Sequence, residues 1–142
     1  MVILKVKKLH PDAIIPSYAH EGDAGLDLFS CEETEILPGE KKLISIGLSI
    51  ELPKGYVSLV WDKSGIASNF GITTMAGVID YTYRGEYKIL LFNTTKESFK
   101  IHKKQKIAQL LIQPIETAEI QEVNELSETQ RGKGGFGSTG LK

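Results

Sequence analysis

A single cysteine, Cys31, in 142 residues has no partner within the chain. A disulfide framework and a multi-cysteine zinc site are both excluded, which fits a reducing compartment. The three histidines, His10, His20 and His102, are scattered without metal-ligand spacing and read as surface or turn residues. Charge of one sign is also lacking, since 17 lysines and arginines face 18 acids for a net charge of −1. That leaves no broad cationic footprint for duplex DNA or an anionic membrane, so a phosphate ligand must be gripped locally. Aromatics make up 8% of the chain and do not alternate with cations along a strand, which argues against a nucleic-acid-binding barrel. No apolar run reaches membrane-spanning length, and Met1 to Lys8 is too briefly apolar for a signal peptide. The cytoplasm is the expected address, and the length implies one domain with a real core and no separate cofactor domain.

What the chain does have is a period of two. Ile44, Ile46, Leu48, Ile50 and Leu52 alternate with Leu43, Ser45, Gly47, Ser49 and Glu51 between Pro38-Gly39 and Pro53-Lys54-Gly55, predicting a strand with one buried face. Tyr56 to Trp61, Tyr87 to Phe92 and Ile107 to Ile112 are further β-rich runs, with breaks at Gly71, Arg84-Gly85, Asn93-Thr94 and Lys103-Lys104. Many short strands in succession predict an all-β sandwich or barrel. A helix is expected only over Ser64 to Phe70, with a weaker helical pattern in Glu116 to Leu126. Near Ser127 the composition shifts, dividing a body over 1–126 from an arm over 127–142. From Arg131 to Gly140 the arm holds five glycines, two cations, Phe136, Ser138 and Thr139. Glycine lets backbone N–H groups approach phosphate oxygens, arginine offers a fork of donors, and a phenyl ring covers a base. Such a tail is either a plain disordered terminus or a closing arm for a nucleotide polyphosphate.

Several interior segments carry chemistry. In Gly77-Val78-Ile79-Asp80-Tyr81-Thr82-Tyr83-Arg84-Gly85 a carboxylate leaves an apolar run, followed three residues later by a ring. Asp80 is either a turn carboxylate capping its own backbone or a base that aims a water at an electrophile. Asp27, between Leu26 and Leu28, is either a solvated carboxylate or an outer partner for a hard cation on phosphates. Lys63-Ser64-Gly65 follows an apolar strand at a turn into a helix, where free amides and a hydroxyl suit phosphate, while capping by Asp62 or Ser64 is the local alternative. Gln109, in Lys106-Ile107-Ala108-Gln109-Leu110, points either to a ligand or merely out of an edge strand.

Taken in order, Ala24 to Leu28, Lys63 to Gly65, Gly77 to Gly85, Ile107 to Leu110 and Arg131 to Gly140 resemble the five motifs of the homotrimeric dUTP diphosphatases, the dUTPase family. The resemblance implies an all-β jelly-roll or β-sandwich subunit of the β-clip type, with at most one short helix and a flexible C-terminal arm. It also implies a trimer whose shared active sites are each closed by the arm of a neighbouring subunit. Asp80 would orient the water that attacks the α-phosphorus of dUTP, giving dUMP and pyrophosphate. Mg2+ would sit mainly on the substrate phosphates, with Asp27 reaching it through water. Lys63, Ser64, Gly65 and Gln109 would position phosphates, Arg131 with Gly137, Ser138 and Thr139 would hold the terminal one, and Phe136 would cover the uracil. A hairpin from Thr73 to Tyr83, including Thr74, Gly77, Val78 and Ile79, would read the base through its backbone. Tyr83 would pack on the deoxyribose, and Lys88 matches a position that often contacts substrate.

The chain departs from the family pattern at Lys63 and Lys106, where arginine is usual, at Thr82, where a second acid is frequent, and at Met75, where a small residue is usual. A lysine gives a point charge without bidentate geometry. The sister dCTP deaminases place a general-base glutamate where this chain has Leu90, which a hydrocarbon cannot replace. A catalytically silent nucleotide-binding or regulatory protein on the same fold is the alternative from another class. Stable binding to nucleic acid or membrane is not expected.

Overall fold

The computed structural model describes residues 1–142, in which ten strands and one helix follow in order. The strands are β1 (Lys5–Lys8), β2 (Leu26–Phe29), β3 (Thr34–Ile36), β4 (Lys41–Glu51), β5 (Tyr56–Asp62), β6 (Ile72–Thr74), β7 (Val78–Asp80), β8 (Tyr87–Asn93), β9 (Phe99–Ile101) and β10 (Lys106–Pro114). The helix, α1, covers Ser64–Phe70. Two four-stranded sheets, ordered β1-β4-β8-β6 and β2-β10-β5-β7, are joined by the small β3-β9 pair, and every pairing is antiparallel. The expected β-sandwich with a single short helix is what the chain forms.

The core follows from the alternation. Ile44, Ile46, Leu48 and Ile50 of β4 are buried together with Ile89 and Leu91 of β8, Leu28 of β2, and Ile107 and Leu110 of β10. Burying apolar surface from both sheets is the main favourable term in folding, worth roughly 1.5–3 kcal/mol per large side chain. The alternation runs unbroken, but the β4-β8 ladder is interrupted once, where the register shifts between Ser45 and Leu48. Gly47 sits there at φ 64°, and a Cβ would meet His10 Cβ at 2.9 Å and Ala13 Cβ at 3.0 Å. Only glycine fits here, and because β4 runs two residues longer than β8 across the shift, its even-numbered side chains stay on the core face.

Two expectations fail. Residues 73 to 83 do not form a hairpin, because β6 pairs with β8 in one sheet while β7 pairs with β5 in the other. The segment is a crossover between sheets, turned by Ala76 at φ 59° and Gly77 at φ 100°. Nor is there a helix over 116–126, where Ile120, Val123 and Leu126 are exposed. The spacing of these apolar residues mimics a helical stripe, but nothing within the chain covers it. The last backbone hydrogen bond tying this end to the body is from Ile115 N–H to Gly55 O, short of the composition shift near Ser127.

Candidate active site

The first of two regions is a cavity of about 610 Å³ whose walls include Leu43, Val78, Ile79, Asp80, Tyr83, Glu86 and Lys88. Asp80 ends β7 with its side chain exposed at this cavity, so its lone pairs are open to a water. Its backbone carbonyl accepts from Tyr83 N–H at 3.1 Å, closing the turn that carries the ring. Tyr83 donates its hydroxyl to Glu86 O at 2.9 Å. The ring lies so close over Gly85 that a Cβ there would come within 2.4 Å of the phenol oxygen, which accounts for glycine at that position. Beneath the cavity the Tyr87 and Ser58 hydroxyls meet at 2.9 Å, and Ser58 also donates to Ile79 O at 3.3 Å. Burial pushes the Tyr87 phenol up, with the Ser58 contact opposing it in part, so the pair stays neutral and braces β7. Glu86 was not anticipated from the sequence. It accepts from Ser45 Oγ and lies 3.8 Å from Lys88 Nζ.

The second region lies where β5 ends. Asp27, expected as a solvated carboxylate or a metal partner, is only 3% exposed. It pairs with Lys63 Nζ at 2.6 Å and Lys106 Nζ at 2.9 Å, one on each carboxylate oxygen. Burial pushes its carboxyl up, but the hydrogen bonds and charges of the two lysines outweigh that and hold it below the ordinary range. The lysines reach β2 from α1's N-terminal end and from the start of β10 and more than neutralise Asp27, while the Asp62 carboxylate nearby, bound only to threonine donors, balances the remaining charge. Gln109 stands opposite Asp27 and Trp61 in the ladder and donates Nε2–H to Asp62 O at 2.8 Å. Gly25 makes room for it, since a Cβ would fall 2.3 Å from Gln109 Oε1.

Lys63 caps α1 with no side-chain hydrogen bond, so neither Asp62 nor Ser64 is the cap considered from sequence. The free N–H groups of the first turn, at Ser64 and Gly65, face out. A Cβ on Gly65 would meet nothing within 4 Å, so packing within the chain does not demand glycine there, whereas close approach of a ligand would. Thr74 N–H and Oγ1 are both given to the Asp62 carboxylate at 2.7 Å, which removes those donors from any substrate.

The structure separates the two regions. Asp80 is beside Val57 near the start of β5, whereas Lys63 follows Asp62 at its end. Five residue steps of strand, roughly 17 Å, separate Val57 from Asp62. Arg131, Phe136, Gly137, Ser138 and Thr139 are on the arm, which makes its hydrogen bonds locally, as from Arg131 Nε to Gly134 O at 2.8 Å. Phe136 is fully exposed. No three acidic, histidine or cysteine side chains converge on a metal site. Asp27 is buried with a lysine ammonium on each oxygen, so it is no direct ligand, and a hard cation in this region would be held chiefly by other groups. No helix is long and apolar enough to cross a membrane.

Fold and geometry define a class, a two-sheet β subunit that presents an anion-ready strand end and a glycine-rich arm. The dUTPase family profile matches residues 11–140. The chain is 54% identical to a deoxyuridine 5'-triphosphate nucleotidohydrolase of Clostridioides difficile, over 99% of this chain and 100% of that one. It is also 54% identical to one of Trichodesmium erythraeum, over 96% of this chain and 98% of that one. A solved structure of the Staphylococcus bacteriophage 80alpha dUTPase with dUPNHPP superposes with a TM-score of 0.92 at 33% identity, covering 98% and 99% of the two chains. A mutant dUTPase from phage phi11 of S. aureus, in which the coordination of a structural Mg(II) ion was resolved, superposes at 0.83 with 29% identity over 89% and 99%. The chain belongs to the dUTPase family.

Proposed function

We propose that this dUTP diphosphatase hydrolyses dUTP to dUMP and pyrophosphate at sites assembled between subunits of a homotrimer, with Asp80 orienting the attacking water. The observation that carries the shared site is the separation along β5. One chain's Asp80 stands roughly 17 Å from the strand end that carries its own phosphate-binding residues, too far for both to act on one phosphorus. A second copy supplying the other half brings them together.

Within such a site Asp80 holds a water by its open carboxylate and accepts its proton as attack on the α-phosphorus proceeds. Ser64 and Gly65 offer amides and a hydroxyl to the phosphates. Lys63 and Lys106, fixed by Asp27, add positive charge without needing to reorganise. Gln109 is held in place by Asp62 O and Gly25. Tyr83, locked over Gly85, presents its ring to the deoxyribose, and the backbone groups of the Thr74 to Ile79 crossover that the fold leaves free read uracil. Lys88 reaches the same cavity. Arg131, Gly137, Ser138 and Thr139 of a neighbour's arm grip the terminal phosphate while Phe136 covers the base. Mg2+ would be held mainly by the substrate phosphates, with Asp27 reaching it through water, and would supply charge neutralisation for the leaving pyrophosphate. The reaction keeps dUTP scarce and provides dUMP, work suited to the cytoplasm.

Mixing inactive subunits tests the sharing. Asp80→Ala and a chain ending at Gln130 are each expected to be inactive as pure trimers. Co-refolded, they form mixed trimers in which some sites take Asp80 from one chain and the arm from another, so pyrophosphate release returns. Two pure inactive variants that never complement would refute the shared site.

A further inference from the structure

The Asp62 side chain has no assigned part in this chemistry, yet its half-buried carboxylate accepts three hydrogen bonds. They come from Thr73 Oγ1, Thr74 N–H and Thr74 Oγ1, each at 2.7 Å. No strand ladder explains the contact, because β5 neighbours β10 and β7 while β6 pairs with β8 in the other sheet. Asp62 is thus a side-chain tie between the sheets. Two residues earlier Val60 N–H donates to Gly77 O at 2.9 Å, so the end of β5 holds both ends of the Thr73 to Gly77 turn. Asp62 also accepts from Gln109 Nε2 at its carbonyl and directly precedes the phosphate-binding segment.

The turn needs such a restraint. Ala76 has φ 59°, a conformation that costs a residue with a Cβ and persists only when its surroundings over-determine it. Met75 beside it is 40% exposed and gives the turn no buried anchor. A carboxylate suits the task because it accepts all three donors and offers none. An asparagine in its place would keep the two Thr74 bonds at its carbonyl oxygen and turn an N–H toward the Thr73 hydroxyl, giving up the charge that strengthens all three.

We propose that Asp62 is a positioning residue that fixes the Thr73 to Gly77 turn against the end of β5 and thereby sets base selectivity; the inference rests on the dUTP-hydrolysis reading above. A turn free to shift by a fraction of an ångström makes room for the thymine methyl and loosens the contacts made to uracil. Catalysis itself, at Asp80, is left in place.

The test compares pyrophosphate release from dUTP and dTTP by the wild-type chain, Asp62→Asn, Thr73→Val and the double variant, with melting temperatures alongside. Loss of charge-assisted bonds of this kind translates into an effect of roughly tenfold. Asp62→Asn should raise KM for dUTP by about that factor with kcat within about twofold, and lower the dUTP to dTTP ratio of kcat/KM by roughly tenfold. Thr73→Val should fall between, and the double variant should be no worse than Asp62→Asn alone, because both act through one contact. Unchanged selectivity in both single variants, with only melting lowered, would reduce Asp62 to a structural brace and overturn the proposal. If Asp62→Asn does not fold, Thr73→Val decides alone, and an unshifted ratio there overturns it. A wild-type chain that releases nothing from dUTP overturns the activity reading itself, an outcome distinct from a selective wild type with selective variants.

Discussion

Asp27→Asn removes the charge that holds Lys63 and Lys106 together, and its cost follows from the geometry. Breaking a buried ion pair by neutralising one partner typically costs about 3–5 kcal/mol. Here the carboxylate is 4% exposed, but the lysine side chains retain 30% and 48% exposure and regain water when released. Solvent screening therefore reduces the expected loss to about 2–3 kcal/mol. For a chain near this length that is a fall of roughly 6–10 °C in melting temperature, read at fixed protein concentration because an assembling protein melts as a function of it. The pH dependence sharpens the test. The folded Asp27 carboxyl lies below its ordinary range, so its contribution is fully present above about pH 4, the unfolded value. It is lost as pH falls through the lower folded value. The gap between variant and wild type should then hold from pH 7 to about pH 5 and close as pH falls through the lowered folded value. A gap below 2 °C at pH 7, or one that persists unchanged in acid, would refute the ion-pair account.

The remaining predictions concern single contacts. Gly25→Ala puts a Cβ 2.3 Å from Gln109 Oε1, so Gln109 must leave Asp62 O, and dUTP turnover should fall roughly tenfold with the fold retained by circular dichroism. Gly77→Ala meets Val60 O at 2.9 Å and takes φ 100°, and urea unfolding should show a loss of about 1–3 kcal/mol. Truncation before Arg131 should abolish turnover while melting shifts by less than about 2 °C, because the arm makes no backbone hydrogen bond to its own body.

The strands were legible because their alternation reports a face buried within the chain itself. β4 carries its pattern through Ile44, Ile46, Leu48 and Ile50, and the register shift at Gly47 is a local irregularity in pairing that a glycine in an apolar run only hints at. Ser64 to Phe70 stood out as helical because Gly71 ends it at φ 62°, the left-handed cap that glycine favours. Strand partners were not legible. Pairing of β6 with β8 and of β7 with β5 is decided by the layering of two sheets, and a turn rich in glycine between short apolar runs looks the same in a hairpin and in a crossover. Asp62 escaped notice because an acid before a helix reads as a cap, while its real partners, Thr73 and Thr74, lie more than ten residues away. Asp27 was located but misjudged in environment, since its cations come from Lys63 and Lys106, distant in sequence. The apolar residues from Ile120 to Leu126 have no partner in this chain, so their conformation is not written in its own periodicity.

The most direct measurement is pyrophosphate release by the purified chain with magnesium, comparing dUTP with dTTP, dCTP and UTP in one assay, wild type against Asp80→Ala. The account predicts rapid release from dUTP alone and none from the variant, with both proteins equally folded and equally able to bind dUTP. Release at a comparable rate by Asp80→Ala, or equal release from dUTP and dTTP by the wild type, would contradict it.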